Sequence, residues 1–244
     1  MPIPVIRIFK NLDGLSREAA VQFSRAARED AQARGLFSTA LSGGHTPKRF
    51  YEFLATPEFL SVVPWERVQM FQVDERCVPP DDPHSNYRMI YESLLSRIPG
   101  GNFHRMAAEQ PDREAAAAAY AEDLRKTLPS APDEWPRLDL ALLGMGPDGH
   151  TASLFPGTAA LNERRRAVCP NWVEKLGMWR LTLTLPVLNA AARVIFLVAG
   201  EDKAHVLADV LRPSGPAPQL PAQLVEPAEK PAEWYLDEAA ARLL

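Results

Sequence analysis

Short apolar runs alternate with longer stretches of helical spacing along almost the whole chain. Val5 to Phe9 is a β-type run. From Leu15 to Arg34 apolar residues recur every three or four positions, with Ala19, Phe23 and Ala26 or Ala27 on one face. That spacing predicts a helix capped by Ser16 and ended by Gly35. LFSTAL (36–41) reads as a strand breaking at SGGHTP (42–47), and Pro47, suited to a first helical turn, opens a helix to about Leu54. VQMFQV (68–73) is another strand. Prolines at 79, 80 and 83 exclude regular structure from DERCVPPDDPHSN (74–86), which therefore reads as a long polar loop. Two helices are predicted over 85–98, with Ser85 or Asn86 as its cap, and over 111–128. An apolar strand over 138–143 runs into the glycine-rich segment 144–157. MWRLTLTL (178–185) alternates, with Trp179, Leu181 and Leu183 on one side and Arg180, Thr182 and Thr184 on the other. RVIFLV (193–198) reads as a buried strand, and Gly200 leads into a helix with an Ala204, Leu207, Leu211 stripe. A proline-rich turn (213–221), a short β-type segment and an Ala/Leu helix from about Leu236 close the chain.

Strands separated by helices imply a mostly parallel sheet covered on both faces, with the ligand beyond the carboxyl ends of the strands. Four polar segments, 42–47, 74–86, 144–157 and 200–203, directly follow predicted strands and so converge on one crevice.

The chain has 244 residues, 46% of them apolar and 24% charged, enough for one large α/β domain or two small ones. A net charge of -4 gives no support for a nucleic-acid partner, and no run approaches a membrane span. The N-terminal MPIPVIRIFKN lacks a long apolar core and a cleavage signal, which argues against export. Cys77 and Cys169 form neither a disulfide framework nor a spaced metal motif, so reduced thiols in a cytoplasm are the simpler reading.

Each converging segment carries candidate chemistry beside a plainer reading. Ser42, Gly43, Gly44, His45 and Thr46 form either an anion nest at a helix N-terminus or an ordinary tight turn. Lys203 is a phosphate contact or a surface lysine, and Arg180 a substrate clamp or strand decoration. Asp74 and Arg76 form a surface ion pair, or else Arg76 binds an anion or oxyanion while Asp74 orients a base or a sugar hydroxyl. His150 is the strongest proton-transfer candidate, oriented by Asp148 if the loop curls back and by Asp74 otherwise. No serine elbow supports covalent catalysis.

SGGHTP (42–47), DERCVPPDDPHSN (74–86), LGMGPDGHTASLFPG (143–157), RLTLT (180–184) and GEDKA (200–204) together resemble the 6-phosphogluconolactonase family, within the superfamily that includes glucosamine-6-phosphate isomerase/deaminase. The resemblance implies one domain over residues 1–244, a three-layer α/β/α fold with a mostly parallel Rossmann-like sheet, and added, partly antiparallel strands around 166–185. It implies hydrolysis of 6-phospho-D-glucono-1,5-lactone in the oxidative pentose phosphate pathway, without metal or organic cofactor, by a monomer or a homodimer. His150 would then activate water, Arg76 or loop amides would stabilise the oxyanion, and the 42–46 loop and Lys203 would hold the phosphate, with Arg180 or Arg76 as a further clamp. The deaminase branch has an aspartate-glutamate-tyrosine motif and a glutamate after the glycine-histidine. Here Arg76 and the segment Ser153-Leu154-Phe155 stand in those places, which separates lactonase from isomerase, while a non-catalytic sugar-phosphate-binding regulator would explain the phosphate loop without explaining His150. His45 replaces a serine common in the family.

Overall fold

The computed structural model describes residues 4–128, 130–131, 134–212 and 219–244, so most of the expected 213–221 turn lies outside the described residues. Seven strands form one parallel sheet: β1 (Val5–Phe9), β2 (Phe37–Leu41), β3 (Val68–Gln72), β5 (Asn102–His104), β6 (Leu140–Gly144), β9 (Val194–Val198) and β10 (Glu233–Asp237). Their order is β1-β10-β9-β6-β2-β3-β5. The chain builds outward from β2 through β3 to β5, then returns to place β6 on the other side of β2. The β2–β6 seam is thus the point where the winding reverses, the place such sheets bind ligands.

Alternate residues of the central strands enter opposite cores. Leu140 and Leu142 sink among Phe23 of α1 (Leu12–Arg34) and Phe50 and Leu54 of α2 (His45–Leu54). Ala141 and Leu143 face the other core, with Tyr120 and Leu124 of α5 (Arg113–Thr127) and Leu207 of α7 (Ala204–Leu211). Each such fully buried Leu or Phe contributes about 1.5–3 kcal/mol. Helices on both faces make the expected three layers.

A second, antiparallel sheet has the order β4-β8-β7, from β4 (Asp74–Arg76), β8 (Met178–Leu183) and β7 (Val168–Val173). It corrects the reading of 74–86 as loop throughout. The prolines act only from 79 onward, and the three residues before them pair with β8 in the register Asp74↔Thr182, Glu75↔Leu181, Arg76↔Arg180. Val73 joins the sheets, donating its N–H to Leu41 O and accepting from Leu183 N–H.

Other boundaries moved for local reasons. The helix α1 begins one turn early because Asn11 caps it, accepting from Gly14 N–H at 3.0 Å, while Ser16 lies buried inside it. Gly35, in the left-handed conformation, ends it as expected. The predicted 85–98 helix is α4 (Asn86–Ile90) continued by a π-helical turn (Tyr91–Leu95), with Ser85 as its cap. The expected final helix is absent from the described residues. Leu236 belongs to β10, and turns follow it.

These caps make a paired prediction for urea unfolding. Asn11→Ala should cost about 1 kcal/mol. Ser16→Ala should cost nothing or stabilise, because the buried Ser16 Oγ has no partner among the described residues.

Candidate active site

All four polar segments meet. A cavity of about 340 Å³ opens at the β2–β6 seam, lined by Ser42 to Pro47, Asp74, Arg76, Asn86, Gly144 to Gly146, His150, Arg180, Asp202 and Lys203, among others. Ser42 donates its hydroxyl to Leu142 O across the seam (2.8 Å), and Tyr51 donates to Ser42 O (2.7 Å). The Ser42 hydroxyl proton is therefore committed to the fold. Gly44 (φ +107) precedes α2 with no side-chain cap, so the first-turn N–H groups of His45 and its neighbours stand at the cavity wall without a side-chain acceptor. Gly43 is required by close approach: a Cβ there would overlap the buried Asn86 carboxamide.

The loop after β6 curls back on itself. Gly146 N–H donates to His150 O (2.9 Å) and Gly149 N–H to Gly146 O (3.0 Å), with Gly149 at φ +75. This curl brings Asp148 Oδ1 to 2.5 Å from His150 Nδ1. Asp148, rather than Asp74, is thus the carboxylate that orients the ring, with Nδ1–H assigned as the donor, which leaves Nε2 as the acceptor. A Cβ at Gly146 would overlap the imidazole. The ring stacks on Phe155, with centroids 4.0 Å apart. Burial holds His150 well below the ordinary histidine pKa, at about 4. Asp74 opposes that shift, while Arg180, Lys203 and Arg76 add to it. Ala152 (φ 51) is the one non-glycine residue at positive φ among the described residues, placing backbone strain two positions from the ring.

Arg76 and Arg180 are direct cross-strand partners on one face of an antiparallel pair, where like charges repel. Both Nε atoms are buried without a partner among the described residues. Arg76 donates to His84 O (2.5 Å), and Arg180 to Ser153 Oγ (3.4 Å) with Asp74 at 3.9 Å. Arg180 and Thr182 are buried, as are Leu181 and Leu183 on the other side of β8, so Arg180 is not surface decoration. Two adjacent, underused guanidinium groups at a cavity wall suit an anionic ligand. Lys203 also lines the cavity and pairs with Asp202.

The two acids of β4 serve differently. Asp74 accepts from Ser153 Oγ (2.6 Å) and Asn86 Nδ2 (3.3 Å) at the cavity wall. Glu75 points away, its carboxylate accepting from Asn86 N–H (2.8 Å), Tyr87 N–H (2.7 Å), Gln72 and Ser85, and so holds the start of α4. Every candidate from the sequence lines the cavity except Asp148, which stands behind His150. Sequence reasoning missed Asn86, visible only as a capping residue, and Ser153, a neutral side chain that shows its role only once it touches Asp74. Among the described residues no three His, Cys, Asp or Glu side chains gather as metal ligands would.

This geometry is that of a sugar-phosphate enzyme of the α/β type, and comparison with known proteins gives the family. Residues 10–234 match the family described as glucosamine-6-phosphate isomerases/6-phosphogluconolactonase, and the chain belongs to it. It is 43% identical to a 6-phosphogluconolactonase of Nostoc sp., over 85% of this chain and 84% of that one. It is 41% identical to the 6-phosphogluconolactonase of Homo sapiens, over 100% and 95%. The solved structure of 6-phosphogluconolactonase from Trypanosoma brucei superposes with a TM-score of 0.89 at 29% identity, covering 99% of this chain and 98% of that one.

The lowered pKa of His150 can be read by NMR: its ring should titrate near 4 and stay neutral at pH 6. Because the folded pKa lies below the unfolded value near 6.5, the native state binds fewer protons between those values. Stability should therefore fall as pH drops through that window, and His150→Gln should remove this part of the loss. A titration near 6.5 would contradict the burial.

Proposed function

We propose that this chain is a 6-phosphogluconolactonase, a single α/β domain that hydrolyses 6-phospho-D-glucono-1,5-lactone to 6-phospho-D-gluconate. The observation that carries this reading is a neutral imidazole, fixed by Asp148, at a wall shared with two underused arginines and an open helix N-terminus. His150 Nε2 takes a proton from water as its oxygen attacks C1. The carbonyl electrons move to oxygen, and Arg180, whose guanidinium lies over the Phe155 ring that stacks on His150, faces the oxyanion with Arg76 beside it. Collapse breaks the bond from C1 to the ring oxygen, which receives the proton from the imidazolium. The loop Ser42–Thr46 and Lys203 hold the phosphate, and that remote binding energy aligns C1 with water. His45 keeps the backbone nest of this loop while replacing a hydroxyl with an exposed ring.

Phe155 favours the lactonase over the deaminase reading. The side chain standing where the deaminase branch carries a ring-opening acid is a buried aromatic packed flat on His150. The unpaired thiols of Cys77 and Cys169 accord with a reducing, cytoplasmic setting.

The test offers fresh 6-phosphogluconolactone and, separately, glucosamine 6-phosphate, with spontaneous lactone hydrolysis subtracted. Turnover is expected on the lactone alone, and deamination of the amino sugar without lactone acceleration would reverse the assignment. His150→Ala should lose about 10²–10⁴-fold in kcat. Lys203→Ala should act mainly on KM for the phosphorylated lactone. An equal loss on unphosphorylated gluconolactone would remove Lys203 from the phosphate site.

A further inference from the structure

The turn joining β7 to β8, Glu174–Leu176 closed by Gly177 in the left-handed conformation, reaches over the His150 loop. The hairpin is fastened to that loop by Asn171 Nδ2 donating to Ser153 O (2.8 Å) and by Ser153 N–H donating to Thr182 Oγ1 (3.1 Å). Its tip carries Lys175. The ammonium pairs with Asp148 Oδ2, the oxygen not used by His150, and lies 4.8 Å from the centroid of the Phe155 ring on which His150 stacks. Lys175 therefore touches both groups that hold the imidazole, its carboxylate partner and its stacking partner, without lining the cavity itself.

We propose that Lys175 is a positioning residue: it locks the Asp148 carboxylate in the orientation that fixes the His150 tautomer, and it shares that carboxylate's charge with the imidazolium formed during turnover. This rests on the reading of His150 as the base. The groups facing the dyad are Lys175 from the hairpin turn, Arg180 from β8, Asp74 and Arg76 from β4, and Lys203 before α7. Of these, Lys175 alone acts through Asp148. By drawing on the carboxylate it weakens the hold of Asp148 on a protonated ring, so its removal raises the proton affinity of the imidazole. The Lys175 side chain is about half exposed, so the ion pair adds little to stability and its loss should leave the fold intact.

The experiment compares Lys175→Gln, Lys175→Arg and His150→Ala by kcat and KM on 6-phosphogluconolactone across the acid range. Lys175→Gln should lower kcat by about tenfold with KM near wild type. Its acid limb should move to higher pH by about one unit. Lys175→Arg should restore the limb. If His150→Ala abolishes turnover while the limb of Lys175→Gln superimposes on wild type, or if only KM changes, Lys175 has no positioning role and the base stands. If His150→Ala retains turnover, the base reading fails and this inference with it.

Discussion

Val73 carries one main-chain hydrogen bond to each sheet, donating to Leu41 O of β2 and accepting from Leu183 N–H of β8. At this residue the chain leaves a parallel sheet buried on both faces and enters an antiparallel one. Everything chemical depends on that exit. A covered parallel sheet has its polar ends at the strand termini, so the polar groups near β2, β6 and β9 come from the loops and helix starts that follow them. Side chains that project into the crevice from rigid backbone, Asp74, Arg76 and Arg180, come from the second sheet, which the two bonds of Val73 tie to the first.

The electrostatics follow from this division. Facing strands present Arg76 to Arg180 in register, an arrangement of like charges that repels and that an anion between or before them makes favourable. The same cations, together with burial, keep the neighbouring imidazole unprotonated. On the proposed reading, substrate charge and base neutrality are served by one set of side chains: the guanidinium groups that would attract a phosphorylated or oxyanionic ligand would also keep the base free to accept a proton. Asp74 moderates both effects and is itself held in place by Ser153 and Asn86.

Periodicity made the parallel sheet, its helices and the convergence of four loops legible in the sequence, because buried strands and amphipathic helices write their environment into residue spacing. Short or context-made elements were not legible. The three residues Asn102–His104 are too few for a pattern, and Asp74–Arg76 are polar because they face a site, which disguises a strand as loop. The chemistry-bearing residues could be named individually from their types and motifs, and the family resemblance ordered their roles. Contacts that depend on backbone curl could not be read. The choice of Asp148 over Asp74 as partner of His150 hangs on two glycine-mediated turns. The structural duty of Glu75 and the reach of Lys175 need coordinates. Alternation put Arg180 with Thr182 and Thr184 on one side of its strand, but the burial of that side depends on the hairpin lying over the His150 loop rather than away from it.

The contact between Gly43 and Asn86 has a consequence for how this sequence can change over time. The Asn86 carboxamide occupies the volume that any side chain at position 43 would need, and it is also the hydrogen-bond donor to the Asp74 backbone carbonyl (3.0 Å). A change at either position is therefore judged against the other, and the two can drift only as a pair. The second would have to shrink or turn as the first grew, while Asp74 lost a support. Two positions more than forty residues apart thus share one evolutionary fate, and homologues that depart from glycine here should carry their compensation at the head of the helix after the proline-rich loop.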